Sequence, residues 1–190
     1  DYVTRGAELT GATDGRKGIV SAWVKPSSFA SAQYLLANFD AQFRLFIGTD
    51  GKIYVSGRTA AGAEKLLISS TSALTAGVWS HFATSFDLTT LSAEVAQMYI
   101  NAVDVALVSA SGGTDIDYTT GNWSIGARLP GATTLYGGSM AELYVNISET
   151  LDLSNATNLQ KFRSSGGSPV YLGNAGATPT GTAPIIYMKN

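Results

Sequence analysis

The chain has no cysteine among its 190 residues and a single histidine, His81. The first absence excludes disulfide stapling, thiol catalysis and thiolate-held structural zinc. The second leaves no ordinary histidine cluster from which to build a zinc site. Charge is scarce as well: Asp, Glu, Lys and Arg make up 14% of the sequence, the net charge is -2, and the 12 basic residues are scattered without a stripe. Such a surface cannot track a phosphate backbone, so nucleic acid is not an expected partner. No apolar run approaches the roughly 20 residues that span a bilayer, so membrane insertion is not expected. The opening residues DYVTRGAELTG do not read as a secretory leader.

What remains is β-forming material. Apolar residues are 45% of the chain and aromatic residues 10%, and a chain of this length folded as a single domain buries roughly 70% of its unfolded surface. Short segments with alternating or β-branched and aromatic character recur between turn residues: 19–25, 33–39, 43–48, 52–57, 65–69, 79–87, 95–102, 105–109, 123–127 and 139–147. Asp50-Gly51 predicts a hairpin, since this pair supplies positive φ values, and Asn101 to Asp104 predicts another reversal. No fixed repeat suggests a propeller, and no long crossover helices suggest a parallel sheet. The pattern predicts an all-β fold, a two-sheet antiparallel β-sandwich of the jelly-roll kind. Near the end, LDLSNATNLQKF (151–162) predicts a short helix of about two to three turns, capped by Ser154 with Leu159 and Phe162 on one side. The sandwich is expected over residues 1–168, with 169–190, carrying PVYLG and PIIYM, as a closing strand or docking arm.

The stretch GVWSHFATSFD (77–87) gathers the residue types of a hydrolytic triad. Alternation along a strand argues against that role: His81, Ser85 and Asp87 point to one side, and Ser80, Phe82 and Phe86 to the other. Ser85 sits too far along a straight strand to bond His81. His81 is therefore expected to be a half-buried strand residue held by a hydrogen bond. A glycosidase needs two opposed carboxylates, and the strand-borne acids, Glu94 and Glu142, do not form a close pair; Glu142 is expected to be a structural acceptor. No catalytic residue is assigned and the protein is expected not to be an enzyme. Of three Asn-X-Ser/Thr matches, at Asn122, Asn146 and Asn155, none carries weight, since the motif arises by chance in such a composition.

Two binding chemistries stay open. Oxygen ligands are plentiful, so a calcium ion held by Asp87, Asp115 and Asp117 is a candidate if their loops meet, with solvated turn acids as the commoner outcome. Sugar recognition needs aromatic rings flanked by polar side chains. Asp117, Tyr118, Asn122, Trp123 and Tyr136 supply these near loops, whereas Trp23 and Trp79 read as core anchors.

The order of several motifs resembles the laminin G-like and pentraxin-like branch of the concanavalin A-like lectin/glucanase superfamily, especially domains of phage and prophage proteins. The resemblance runs through IVSAWVK, GKIYV, the Trp79-Ser80-His81 motif ending at Asp87, Tyr99-Ile100-Asn101, WSIGA and YGGSMAELYV. Two positions depart from the pattern: Ala102 replaces a glycine after the Asn, and Ala141 replaces an acidic residue ahead of Glu142. The glucanase members' paired acidic motif is lacking. The resemblance implies a concanavalin A-like sandwich on a virion (a phage-like particle), as a surface-exposed head, neck, tail-spike or decoration module adhering to cell-surface polysaccharide. It also implies capsid or tail proteins as partners and assembly in several copies, with a purely structural docking module as the alternative.

Overall fold

The computed structural model describes residues 2–89, 95–111, 113–128 and 134–189. The alternating segments become strands β1 (Val3–Arg5), β2 (Lys17–Pro26), β3 (Gln33–Ala37), β4 (Phe43–Ile47), β5 (Ile53–Arg58), β6 (Glu64–Ser70), β7 (Ser80–Asp87), β8 (Val95–Ile100), β9 (Val103–Asp104), β10 (Ala106–Ala110), β11 (Trp123–Ile125), β12 (Gly138–Asn146) and β13 (Ile186–Met188). They form two antiparallel sheets, a seven-stranded one in the order β1-β11-β3-β4-β5-β6-β10 and a six-stranded one in the order β13-β12-β2-β7-β8-β9. This is the two-sheet jelly-roll sandwich that the alternation predicts. β1 carries no signal of its own because its three residues are all exposed.

Period-two alternation fills the space between the sheets. Val20, Ala22 and Val24 of β2 and Phe82 and Phe86 of β7 meet Phe43, Leu45, Ile53, Val55, Leu66 and Ile68 of the opposite sheet. Packing is tight enough to dictate a glycine: a Cβ on Gly18 would lie 2.4 Å from the ring of Phe86.

The other face of the six-stranded sheet is covered as well. Ile19 and Tyr144 pack against Phe162 and Leu172, and Ala83 packs against Leu153 and Leu159. The irregular segment from Leu153 to Leu172 therefore lies across the sheet's outer side. Within it the helix is shorter than predicted, one turn in α1 (Ala156–Leu159), and its cap is Asn155, whose side chain accepts from the Thr157 N–H. Ser154 instead donates its hydroxyl to Asp152 at 2.6 Å. A run rich in Asn and Thr has poor helix propensity, and one turn suffices to seat Leu159. PVYLG forms no strand beyond a bridge between Arg163 and Pro169. PIIYM supplies β13, paired with β12.

Both predicted reversals form. In the β4–β5 hairpin Gly51 takes the left-handed conformation, while the Asp50 carboxylate accepts from the Lys52 N–H at 3.1 Å. Between β8 and β9, Asn101 and Ala102 both have positive φ, 51° and 67°, the signature of a type I′ turn. The turn survives the alanine at the usual glycine position, with the strain that a Cβ brings there.

Candidate functional site

Cross-strand register decides what GVWSHFATSFD does. His81 is the partner of Trp23, on the outer face of the six-stranded sheet beneath the C-terminal covering. It is wholly buried, not half-buried. Its Nε2 lies 2.9 Å from the hydroxyl of Ser21, its ring centroid is 5.2 Å from that of Trp23, and its backbone N–H donates to the Asn101 side chain at 3.0 Å. Burial first, and the positive charge of Arg163 second, depress the imidazole pKa to about 3, so the ring is neutral. The Ser21–His81 contact has the form of a nucleophile and its base, but neither residue is exposed, and a substrate cannot reach them. Ser85 instead accepts from the Leu151 N–H at 3.0 Å.

The predicted sugar-binding residues do not share a surface. Tyr118 is wholly buried and Trp123 is 3% exposed; both rings pack on Phe43, at 5.2 and 6.2 Å between centroids. A ring enclosed in this way offers no face to a sugar. Asp117 is buried and accepts from the N–H and hydroxyl groups of Thr119 and Thr120; burial works to raise its pKa, and these bonds outweigh it and leave the carboxyl below its usual range. Asn122 is half-buried between the bend at Gly121 and the start of β11, with φ of 59°. Tyr136 is half-buried and its hydroxyl is spent on the Ser139 carbonyl at 2.9 Å and the Lys25 N–H at 3.1 Å. The loop is tucked inward because Ile116 bridges to Gly15 and enters the core.

The candidate calcium ligands are also apart in function. Asp115 pairs with Arg16 at 2.7 Å, and Asp87 pairs with Lys17 at 3.5 Å while accepting from the Thr89 N–H and hydroxyl. Two consecutive side-chain cations thus occupy the place beside these carboxylates where a metal's charge would act. Among the described residues no group of three or more His, Asp or Glu side chains converges, and the set does not fit a calcium ion. Glu142 sits in the bulge of β12 with φ of 50°, accepting from the Tyr187 hydroxyl at 2.8 Å. Glu94 lies outside the described residues. Asn146 is 2% exposed and binds the Ser148 and Glu149 N–H groups, which removes it as a glycan acceptor in the folded chain.

The residue that the sequence reading misplaced is Trp79, which is 41% exposed. The signal was available: the alternation that turns Phe82 and Phe86 inward turns Trp79 outward with His81. A turn in which the Val78 N–H bonds the Thr75 carbonyl, with Gly77 bonded to Pro26, holds this end of β7 against the end of β2. Trp79 and Trp23 consequently line one cleft of about 330 Å³, closed by Ala141, Gly167, Ser168 and Pro169. Ala141 is the register partner of Trp23 in β12, and its methyl group leaves the indole's flank open. On the loop side, the Arg163 guanidinium reaches to within 2.7 Å of where a Cβ on Gly167 would stand, so the glycine makes room for it. Of the residues that line the cleft, Trp23 has a buried Nε1 without a partner among the described residues.

Similarity to known proteins follows the fold. A family profile described as concanavalin A-like lectin/glucanases superfamily matches residues 8–148. A search of curated proteins gave no match. Among solved structures, the SAP-like pentraxin of Limulus polyphemus is 18% identical, with a TM-score of 0.59 covering 83% of this chain and 74% of that one. A candidate carbohydrate-binding protein from Bacteroides ovatus is 16% identical, with a TM-score of 0.65 over 100% of this chain. This chain spans 49% of that protein's length. The CBM40 of Ruminococcus gnavus IT-sialidase, bound to α2,3-sialyllactose, is 16% identical with a TM-score of 0.57, covering 80% of this chain and 90% of that one.

Proposed function

Since the chain belongs to the concanavalin A-like lectin/glucanase superfamily, we propose that it is a non-catalytic glycan-binding module whose saccharide site is the Trp23–Trp79 cleft. The observation that carries this reading is the exposed indole of Trp79, which lines an open cleft together with Trp23. An indole face packs on the C–H side of a sugar ring, and nearby donors fix its hydroxyls. A volume of about 330 Å³ stands at the small end of ligand sites, roughly 300 to 1,000 Å³, and suits a terminal sugar. No carboxylate lines the cleft, so the pair that glycoside hydrolysis requires is not at hand there. The sialyllactose-bound CBM40 lends support at the level of fold.

The sequence resemblance extends the proposal to the setting. The module is carried on the surface of a phage-like particle, attached to head, neck or tail proteins, and adheres to cell-surface polysaccharide. Display in many copies turns a weak site into firm adhesion, because the second contact forms at high effective concentration.

A glycan array probed with the isolated chain and with particles carrying it tests both parts. Binding by the chain that falls about tenfold or more in Trp79→Ala, the loss of one stacked ring, supports the cleft. Undiminished binding in that variant moves the site elsewhere, and no binding even on particles overturns the adhesive function.

A further inference from the structure

The cleft between Trp23 and Trp79 is poor in polar groups. Its lining is the two indoles, the methyl group of Ala141, the ring of Pro169, Gly167 and Ser168, with no charged side chain among the described residues. Arg163 lines a separate hollow, with Tyr99 and Gln160. The loop wall has spent much of its own backbone. The Gly167 N–H donates to the Ser164 carbonyl at 2.9 Å, and the Ser168 carbonyl accepts from the Ser164 N–H at 2.9 Å. The Ser168 N–H donates to the Ser164 hydroxyl at 3.0 Å, and Pro169 has no N–H to give. Trp23 is 7% exposed and its Nε1 is buried. Of the side chains, that leaves a ligand the Ser168 hydroxyl and the exposed Trp79 indole, set among apolar surface.

Resting on the cleft as the glycan site, we infer that it selects an uncharged sugar unit that presents a methyl group, as a 6-deoxyhexose or an N-acetylhexosamine does, with the methyl seated beside Ala141 and Trp23 and the sugar ring against Trp79. A hydroxyl carried to that apolar end gives up water without gaining a partner, whereas a methyl group there gains by leaving water. A carboxylate loses more still, because no cation lines the cleft to pair with it. The residue that makes room is Ala141, the register partner of Trp23 in β12, where a longer side chain would fill the space beside the indole.

The test is titration of the full chain with methyl glycosides in matched pairs: L-rhamnose against L-mannose, L-fucose against L-galactose, and N-acetylglucosamine against glucose, with glucuronate as the charged probe. The expected result is a preference of about tenfold or more for the methyl-bearing member of at least one pair, unmoved by salt because no charge is paired, with glucuronate weaker than glucose. Which pair shows the preference tells a ring methyl from an acetamido methyl. Ala141→Leu, whose side chain would take the methyl's place, should remove the preference and leave the hydroxylated sugar's weaker binding. Equal binding within every pair by the wild-type chain overturns the inference without any variant having to fold, and leaves the cleft itself standing if Trp79→Ala still weakens both members. Glucuronate binding above that of glucose also overturns it, as does a methyl preference that survives Ala141→Leu. No saccharide binding at all sinks the glycan site together with this inference.

Discussion

At the scale of single residues, His81 shows how burial converts a reactive side chain into a structural one. Its pKa in the folded chain is about 3, held down by burial and then by Arg163, against about 6.5 when unfolded. Between those values the unfolded chain binds a proton that the folded chain refuses. Stability is therefore fully present above the unfolded value and is lost as pH falls toward the folded one. The slope approaches about 1.4 kcal/mol per pH unit once the unfolded imidazole is charged. Asp87 and Asp117 have pKa values lowered below their usual range, so their own losses set in only as pH falls below about 5, and the decline from pH 7 to 5 belongs to the imidazole. Urea unfolding at pH 7, 6 and 5 should show the decline in the wild-type chain. His81→Gln, which can keep a bond to Ser21 without an ionisable ring, should flatten it. A wild-type stability that does not change across this interval would contradict the buried neutral imidazole.

At the scale of elements, the β8–β9 turn stores removable strain. Ala102 has φ of 67° and is exposed, so Ala102→Gly should stabilise by about 0.5–1 kcal/mol in chemical denaturation, relieved left-handed strain outweighing the added freedom of the unfolded chain. Gly18→Ala should do the opposite, costing on the order of 1–3 kcal/mol, because its methyl group meets the Phe86 ring. The strands and these turns were legible in the sequence because alternation has a period and Asn and Gly have conformational preferences. The sites were less so. Tyr118 and Trp123 looked like platform residues because they border a polar loop, and nothing local shows that Ile116 tucks that loop onto the core. Trp79 could be placed outward by alternation from Phe82. Its meeting with Gly167 and Pro169, and that of His81 with Ser21, depend on register and on a distant irregular segment, which leave no periodic trace.

At the scale of the whole molecule, the irregular C-terminal covering is where fold and function meet. Leu153, Leu159, Phe162 and Leu172 seal the outer face of the six-stranded sheet, Tyr187 joins the same cluster, and Gly167 to Pro169 form the cleft's second wall. Ending the chain at residue 168, the boundary that the sequence suggests, would remove Leu172, Tyr187 and β13. Ile19 and Tyr144 would lose cover, and the edge of β12 would be left open to association. Burial of each large apolar side chain contributes roughly 1.5–3 kcal/mol, and a domain has only about 5–15 kcal/mol of net stability. Residues 1–168 alone should therefore show a large fall in melting temperature or aggregate, and lose saccharide binding along with Pro169. Thermal unfolding and size-exclusion chromatography of 1–168 beside 1–190 decide the point. If 1–168 remains monomeric and equally stable, the last residues are an appendage; if it fails, the covering is part of the sandwich, and the cleft exists because the chain folds back over its own sheet.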